Sequence, residues 1–252
     1  MAVDVASLGA IRVVTINRPE RANALDGATM GAIGTAFAEA EADETVQVVV
    51  LTGAGDRVFC AGMDLKAQGD ERLPRPGSPG LEVFMNRCYP KPVIAAVNGA
   101  AMGGGFELAM ASDLVIAADH VTFGVPEVKR GVVGAGCSTR TAARVPPAIA
   151  FEMTLTGDPI TAQRPLELGL VNEVVPKDQV LDRAMALAGR IAANAPIALR
   201  ITKQLVWDAA GNHDAEEWAA IRAKAAPAFA SDDAREGAAA FAERREPRWT
   251  GK

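Results

Sequence analysis

Histidine, cysteine and tyrosine are scarce in this chain, and the shortage narrows its chemistry. In 252 residues there are two histidines, His120 and His213, three cysteines, Cys60, Cys88 and Cys137, and one tyrosine. No CxxC, HExxH or HxH spacing occurs, which argues against a zinc site built from His and Cys. So few scattered thiols supply no disulfide framework and suit a reducing compartment. Runs of Lys or Arg are also missing. With 26 basic and 31 acidic side chains the net charge is −5, so the electrostatic footprint of a nucleic-acid partner is absent. The opening residues Met-Ala-Val-Asp carry neither a basic stretch nor an apolar core after it, so no secretion signal is expected and the cytoplasm is the expected location. The most apolar stretch, residues 93–118, contains Asn98, Glu107, Ser112 and Asp113 plus four glycines. That pattern belongs to buried core and not to a membrane helix.

What remains is an ordinary globular composition, 49% hydrophobic and 23% charged, which rules out wholesale disorder. At roughly 150 residues per domain the length corresponds to one or two domains. Strand and helix signals alternate over the first 120 residues. The β-branched run 11–16 (IRVVTI) reads as a strand. Asp26 can cap a helix whose apolar face holds Met30, Ile33 and Phe37. The near-continuous apolar run 46–51 (VQVVVL) predicts a strand buried on both faces, and further strands are expected at 59–61, 93–97 and 114–118. This order implies α/β architecture with parallel pairing and crossovers. From about Pro146 onward the pattern is helical, with Ala-rich segments near 178–194, 197–210, 214–228 and 232–244. The chain divides into an α/β core, 1–195, and a C-terminal helical subdomain, 196–252. The Pro- and Gly-rich segment 73–80 is expected to be a mobile surface loop that shapes a pocket.

Three glycine clusters need separate readings. Gly53-Ala54-Gly55 would need a third glycine at 58, which is Val58. Gly134-Ala135-Gly136 would need one at 139, which is Thr139. Neither is a dinucleotide fingerprint, and no cluster is followed by Lys-Ser or Lys-Thr, so a phosphate-binding loop is also missing. The third cluster, 103–105, precedes Phe106 and Glu107 and reads as a strand, a tight turn and a helix start. Its free N–H groups would point at whatever approaches. Alternatively it is close packing, with Glu107 a favourable first-turn charge. A similar strand-to-helix turn runs through 59–66, where the Met63 N–H could be a second free donor. Two donors converging on one point make an oxyanion hole. Asp64 could equally be a plain N-cap there. Glu127 stands in the apolar stretch 123–128. Apolar neighbours raise a carboxyl pKa into the range where it exchanges a proton near neutrality. The alternative is a surface glutamate paired with Lys129 or Arg130.

Taken together, AGMDLK at 61–66, NGAAMGGGFELAMASD at 98–113 and FGVPEVKRG at 123–131 resemble the enoyl-CoA hydratase/isomerase family, the crotonases. NRPERANALD at 17–26, LTG at 155–157, ELGLVNEVVP at 167–176 and SDDAREGAAAFAERREPRW at 231–249 extend the resemblance over nearly the whole chain. It implies a spiral of ββα units with C-terminal helices that make trimer contacts, the trimers pairing into hexamers. It implies an acyl-CoA or enoyl-CoA substrate and no metal or redox cofactor, coenzyme A being part of the substrate. By motif position the oxyanion donors fall on Met63 and Gly104, and the two glutamates of hydrating members on Glu107 and Glu127. The implied reaction is addition of water to a trans-2-enoyl-CoA, with Glu107 activating the water and Glu127 delivering a proton to Cα. A Δ3,Δ2-enoyl-CoA isomerase and a non-catalytic acyl-CoA carrier are the alternatives on this fold. The CoA is expected against Arg21, Ala22, Leu25, Ala61, Gly62, Asp64 and Leu65, with Phe241 and Arg244 reaching it from a neighbouring subunit. Without the resemblance, Arg244 reads as a cation complementing a helix C-terminus. Two departures stand out. Pro165 replaces a usual alanine, which would shorten or kink its helix. The run 136–139 (GCST) replaces a more Gly-rich pattern, which bears on pocket shape. Acyl chain length and pathway are not written in the sequence; fatty-acid β-oxidation, amino-acid breakdown and secondary metabolism all use this chemistry.

Overall fold

The computed structural model describes residues 1–67, 73–74, 77–85, 89–210 and 215–250. Cys88, His213 and part of the 73–80 segment lie outside them. Two sheets organise the core. The larger runs β1 (Val3–Leu8), β2 (Ile11–Ile16), β3 (Val48–Gly53), β5 (Val93–Val97), β7 (Leu114–Ala118) and β10 (Glu173–Val175) in that spatial order. The smaller runs β4 (Val58–Cys60), β6 (Ala100–Met102), β8 (Thr122–Gly124) and β9 (Ile160–Thr161). Consecutive strands β3–β4, β5–β6 and β7–β8 each place one member in each sheet, and the equivalent members pair in parallel. That repetition is the ββα spiral. Every residue of β3 and β5 is buried, as expected of strands covered on both faces.

The helices are α1 (Gly27–Ala42), α2 (Glu82–Met85), α3 (Gly104–Ala111), α4 (Ala135–Ala142), α5 (Pro147–Thr156), α6 (Gln163–Glu167), α7 (Val180–Ala192), α8 (Pro196–Ala209), α9 (Ala215–Ala230) and α10 (Asp232–Glu243). Asp26 caps α1 by accepting from Thr29 N at 2.8 Å, the role its residue type predicts. Ile33 and Phe37 are fully buried on the inner face of α1, where Phe37 stacks on Phe84 at 4.4 Å between ring centroids. Among the described residues no helix is long and apolar enough to cross a membrane.

Several expectations need correction. The region after Pro146 is not purely helical: β10 joins the large sheet beside β7, aided by Asn172 Oδ1 accepting from Val115 N at 2.8 Å. The helix holding Pro165 is short, as expected of a proline there; only the kink is absent, because in the first turn the missing N–H has no helical acceptor to lose. The described part of 73–80 packs onto α1, where Gly80 backbone lies directly against Gly34. Helix α8 carries no buried residue. It is tied to the core by Asp113, which accepts from Trp207 Nε1 at 2.6 Å and pairs with Lys203 Nζ at 2.8 Å, and by Lys203 donating to Lys91 O at 2.7 Å.

Candidate functional site

The site lies where β4, β6 and α3 meet. Gly62 follows β4 with φ +85°, and a Cβ there would sit 2.8 Å from Met102 O and 2.9 Å from Gly104 N. Only glycine tolerates both the conformation and the contact. The chain then pairs with the 18–25 loop and turns at 65–66 instead of entering a helix, which corrects the helix-like reading of 59–66. Met63 bridges Leu25 in parallel, with Leu25 N donating to Gly62 O at 2.8 Å and Asp64 N to Leu25 O at 2.9 Å. This pairing turns the N–H groups of Leu25 and Asp64 toward each other's strand and leaves Met63 N without an acceptor among the described residues. Gly104 N, the first of α3, is likewise without one. A Cβ on Gly104 would be 3.8 Å from Met63 N, so the two donors share one small region.

Asp64 caps no helix. Its Oδ1 accepts from Lys66 N at 3.1 Å and its Oδ2 pairs with Arg18 Nη2 at 3.3 Å. Arg18 also pairs with Asp26 and donates to Ala24 O, which fastens the 18–25 loop to the Gly62 turn. Asn23 holds the same loop from inside. It is fully buried in a left-handed conformation, φ 51°. Its side chain accepts from Arg18 N and donates to Ala54 O and Val58 O, all within 2.9 Å. Ala22 and Leu25 lie on this loop, Leu25 buried and Arg21 exposed at the surface. Ala61 N donates to Ala22 O at 3.1 Å, and Leu65 follows in the turn after Asp64.

Glu107 is one turn into α3, and its side chain is 18% exposed. It is more than a first-turn charge. Its Oε1 is 3.8 Å from Nε of Arg140, a buried arginine that also donates to Met85 O. Gly136 packs so closely that a Cβ would fall 1.7 Å from Glu107 Oε1. Burial pushes the Glu107 carboxyl up to about 7; Arg140 opposes the rise and nearby Glu127 adds to it. Glu127 sits in the 3-10 turn Pro126–Arg130. It is no surface ion pair: Lys129 pairs with Asp158, and Arg130 lies over the Phe241 ring at 4.4 Å. The Glu127 carboxyl points inward, toward Gly103, Gly134 and Cys137. Burial is the main cause that raises its pKa as well.

Met63, Gly104, Glu107 and Glu127 therefore gather around the Gly103 turn. Phe241 is brought against Arg130 in the same chain, while Arg244 is the exposed left-handed residue that ends α10. Sequence reading passed over Arg140, Gly134 and Gly136. The two glycines fail as a nucleotide fingerprint, and their place seven and nine residues past Glu127 is the signal that ties them to the site.

Two carboxyl groups of raised proton affinity beside two unpaired backbone donors, on a ββα spiral, define an acid–base site that can also hold an oxyanion. The chain belongs to the enoyl-CoA hydratase/isomerase family, whose sequence profile matches residues 7–252. It is 41% identical over 251 residues to a carnitinyl-CoA dehydratase of Salmonella arizonae, covering 96% of each chain. Its structure is similar to that of carnitinyl-CoA hydratase from Mycobacterium avium, with TM-score 0.92 and 42% identity over 100% of this chain and 99% of that one. It is also similar to enoyl-CoA hydratase from Mycobacterium tuberculosis H37Rv, with TM-score 0.77 and 44% identity over 100% and 99%.

Proposed function

We propose that this protein catalyses reversible addition of water across the Cα–Cβ double bond of a trans-2-enoyl-CoA, giving the 3-hydroxyacyl-CoA. The pairing of Glu107 and Glu127, each with burial-raised proton affinity beside the Met63 and Gly104 donors, carries this reading. Glu107 takes a proton from water as its oxygen attacks Cβ. The electron pair moves through Cα to the thioester oxygen, which accepts hydrogen bonds from Met63 N and Gly104 N. Glu127 then gives a proton to Cα, and the thioester carbonyl reforms. Stabilising the enolate is the largest contribution, since one lost donor in such a hole lowers rates by roughly a hundred- to a thousand-fold. Coenzyme A lies along Arg21, Ala22, Leu25, Ala61, Gly62, Asp64 and Leu65, with no metal or redox cofactor taking part.

The relatives' names favour one substrate in particular, carnitinyl-CoA. It is a 3-hydroxyacyl-CoA with a cationic substituent beyond Cβ, and its dehydration is the same chemistry run backward. The protein is proposed to work as a homotrimer or a hexamer through residues 196–252. Exposed Ile197, Ile201 and Leu205 on α8 supply apolar surface for that assembly. The deciding experiment follows the conjugated thioester absorbance with straight-chain enoyl-CoA substrates and, in the reverse direction, with carnitinyl-CoA. Turnover is expected to fall at least about a hundred-fold in Glu107→Gln and in Glu127→Gln while CoA binding persists. Near-wild-type turnover in either variant removes that residue from the machinery. Double-bond migration without water incorporation identifies an isomerase, and tight binding without turnover a carrier.

A further inference from the structure

A thiol occupies the space between the two carboxyl groups. Cys137 Sγ lies 3.2 Å from Gly103 O, 3.6 Å from Glu127 Oε1 and 4.0 Å from Glu107 Oε2, and the residue is 1% exposed. Glycines flank that space on both sides. Gly134 and Gly136 have no side chain, and a Cβ on either would press on Glu127 or Glu107. Glu127 Oε2 is buried with no hydrogen-bond partner among the described residues. Besides its own backbone N–H, the carboxyl's side-chain partner is this thiol, at Oε1. We propose that Cys137 is a positioning residue: its S–H, shared between the Gly103 carbonyl and Glu127 Oε1, fixes the Glu127 carboxyl and its spacing from Glu107. The proposal rests on the hydration reading above for what that positioning accomplishes.

The donor role has a definite sign. Burial and the two neighbouring carboxyls push the thiol pKa well up, so the sulfur keeps its proton through the neutral range. Donation to Oε1 favours the ionised form of Glu127, against the burial that favours the neutral form. Removing the donor raises Glu127 further. The other groups around Glu127 stay in place. Glu107 faces it from α3 and Arg140 lies beyond on α4. Arg130, on its own turn, lies over Phe241 of α10, and its charge holds the Glu127 pKa down. Lys129 turns away to Asp158, Asp233 of α10 accepts from Thr250, and Glu152 of α5 lines a separate cavity with Arg164.

Cys137→Ala and Cys137→Ser separate donation from packing. In the alanine variant kcat is expected to fall about ten-fold with KM nearly unchanged. The limb of the kcat/KM–pH profile set by Glu127 is expected to move up by about half a pH unit or more. Serine, a stronger donor of similar shape, brings the limb back to the wild-type position or below it. Equal losses in both variants with an unmoved limb reduce Cys137 to packing and overturn the proposal. A second readout needs no turnover and no Cys137 variant: the S–H stretching band, recorded by vibrational spectroscopy of Glu107→Gln and of the double variant Glu107→Gln/Glu127→Gln, so that Glu107, which also faces the sulfur, does not titrate. The Cys137 band is expected to shift with pH in Glu107→Gln and to stop shifting in the double variant; a band indifferent to pH in Glu107→Gln also overturns the proposal. If the band titrates with Glu127 but the wild type hydrates no CoA thioester, the hydration reading fails and the thiol–carboxyl contact stands.

Discussion

Gly136 and Glu107 exclude each other's growth: a Cβ on Gly136 would lie 1.7 Å from Glu107 Oε1 and 2.2 Å from its Cδ. The atoms displaced belong to the end of a flexible side chain, so Gly136→Ala is expected to fold and to push the carboxyl off its position beside Arg140. Activity on CoA thioesters is expected to drop at least about a hundred-fold, with the far-UV spectrum and melting profile close to wild type. Full activity in a folded Gly136→Ala protein removes the geometric requirement on Glu107.

The raised Glu107 pKa also bears on stability. The ordinary value is 4.5 and burial lifts it to about 7, so the folded protein holds a proton that the unfolded chain has released. Between those values folding takes up a proton. The stability linked to this group is complete below about pH 4.5 and is lost as pH rises through about 7. Glu107→Gln removes that loss and keeps an acceptor for Arg140. Its Tm relative to wild type is therefore expected to be higher at about pH 8 than at about pH 5, by an amount on the order of a few kcal/mol in unfolding free energy. An equal Tm difference at both pH values refutes the linkage.

Gly62 and Gly104 are neighbours in space but are expected to respond differently. A Cβ at Gly62 meets the backbone at Met102 O and Gly104 N below 3.0 Å, at φ +85°. Gly62→Ala is expected to lower stability markedly in denaturant titration, since neither strain nor clash can be relieved by a side chain. At Gly104 a Cβ finds ordinary contacts, 3.4 Å from Leu25 Cδ1 and 3.5 Å from Gly62 Cα. Gly104→Val is expected to fold cooperatively and to be inactive, because its methyl groups stand where an oxyanion would meet the two N–H groups. A Gly104→Val protein that folds and turns over substrate places the hole elsewhere.

Arg244 tests the proposed shared site. It ends α10 with φ 56° and is exposed, as a side chain reaching CoA phosphates on a neighbouring subunit would have to be. Arg244→Ala is expected to raise KM much more than it lowers kcat, because phosphates are held equally in ground and transition states. The difference should shrink at high salt. An unchanged KM leaves Arg244 as a helix-terminal cation and nothing more.

Local signals carried much of this structure in the sequence. The runs 11–16, 93–97 and 114–118 are strands because their β-branched and apolar residues have no other way to be buried, and Asp26 caps α1 with its own side chain. The three-residue strands β8 and β10 were not readable. Each is too short for a period, and each exists by pairing with a strand distant in the chain. The strand β1 alternates too little, with five of its six residues exposed. At the site, the two glutamates announced themselves as acids among apolar residues. The contacts that tune them, Arg140 on Glu107 and Cys137 on Glu127, join α4 to α3 and to the 126–130 turn, so only the folded chain reveals them.

Asn23 fixes more than geometry. Its buried amide spans Arg18, Ala54 and Val58, so the 18–25 loop loses its conformational entropy when the protein folds and not when a ligand arrives. A molecule docking against that loop meets a surface already shaped, and its association needs no ordering step of the loop. Discrimination between ligands at such a surface is then expected to rest on how slowly each one leaves.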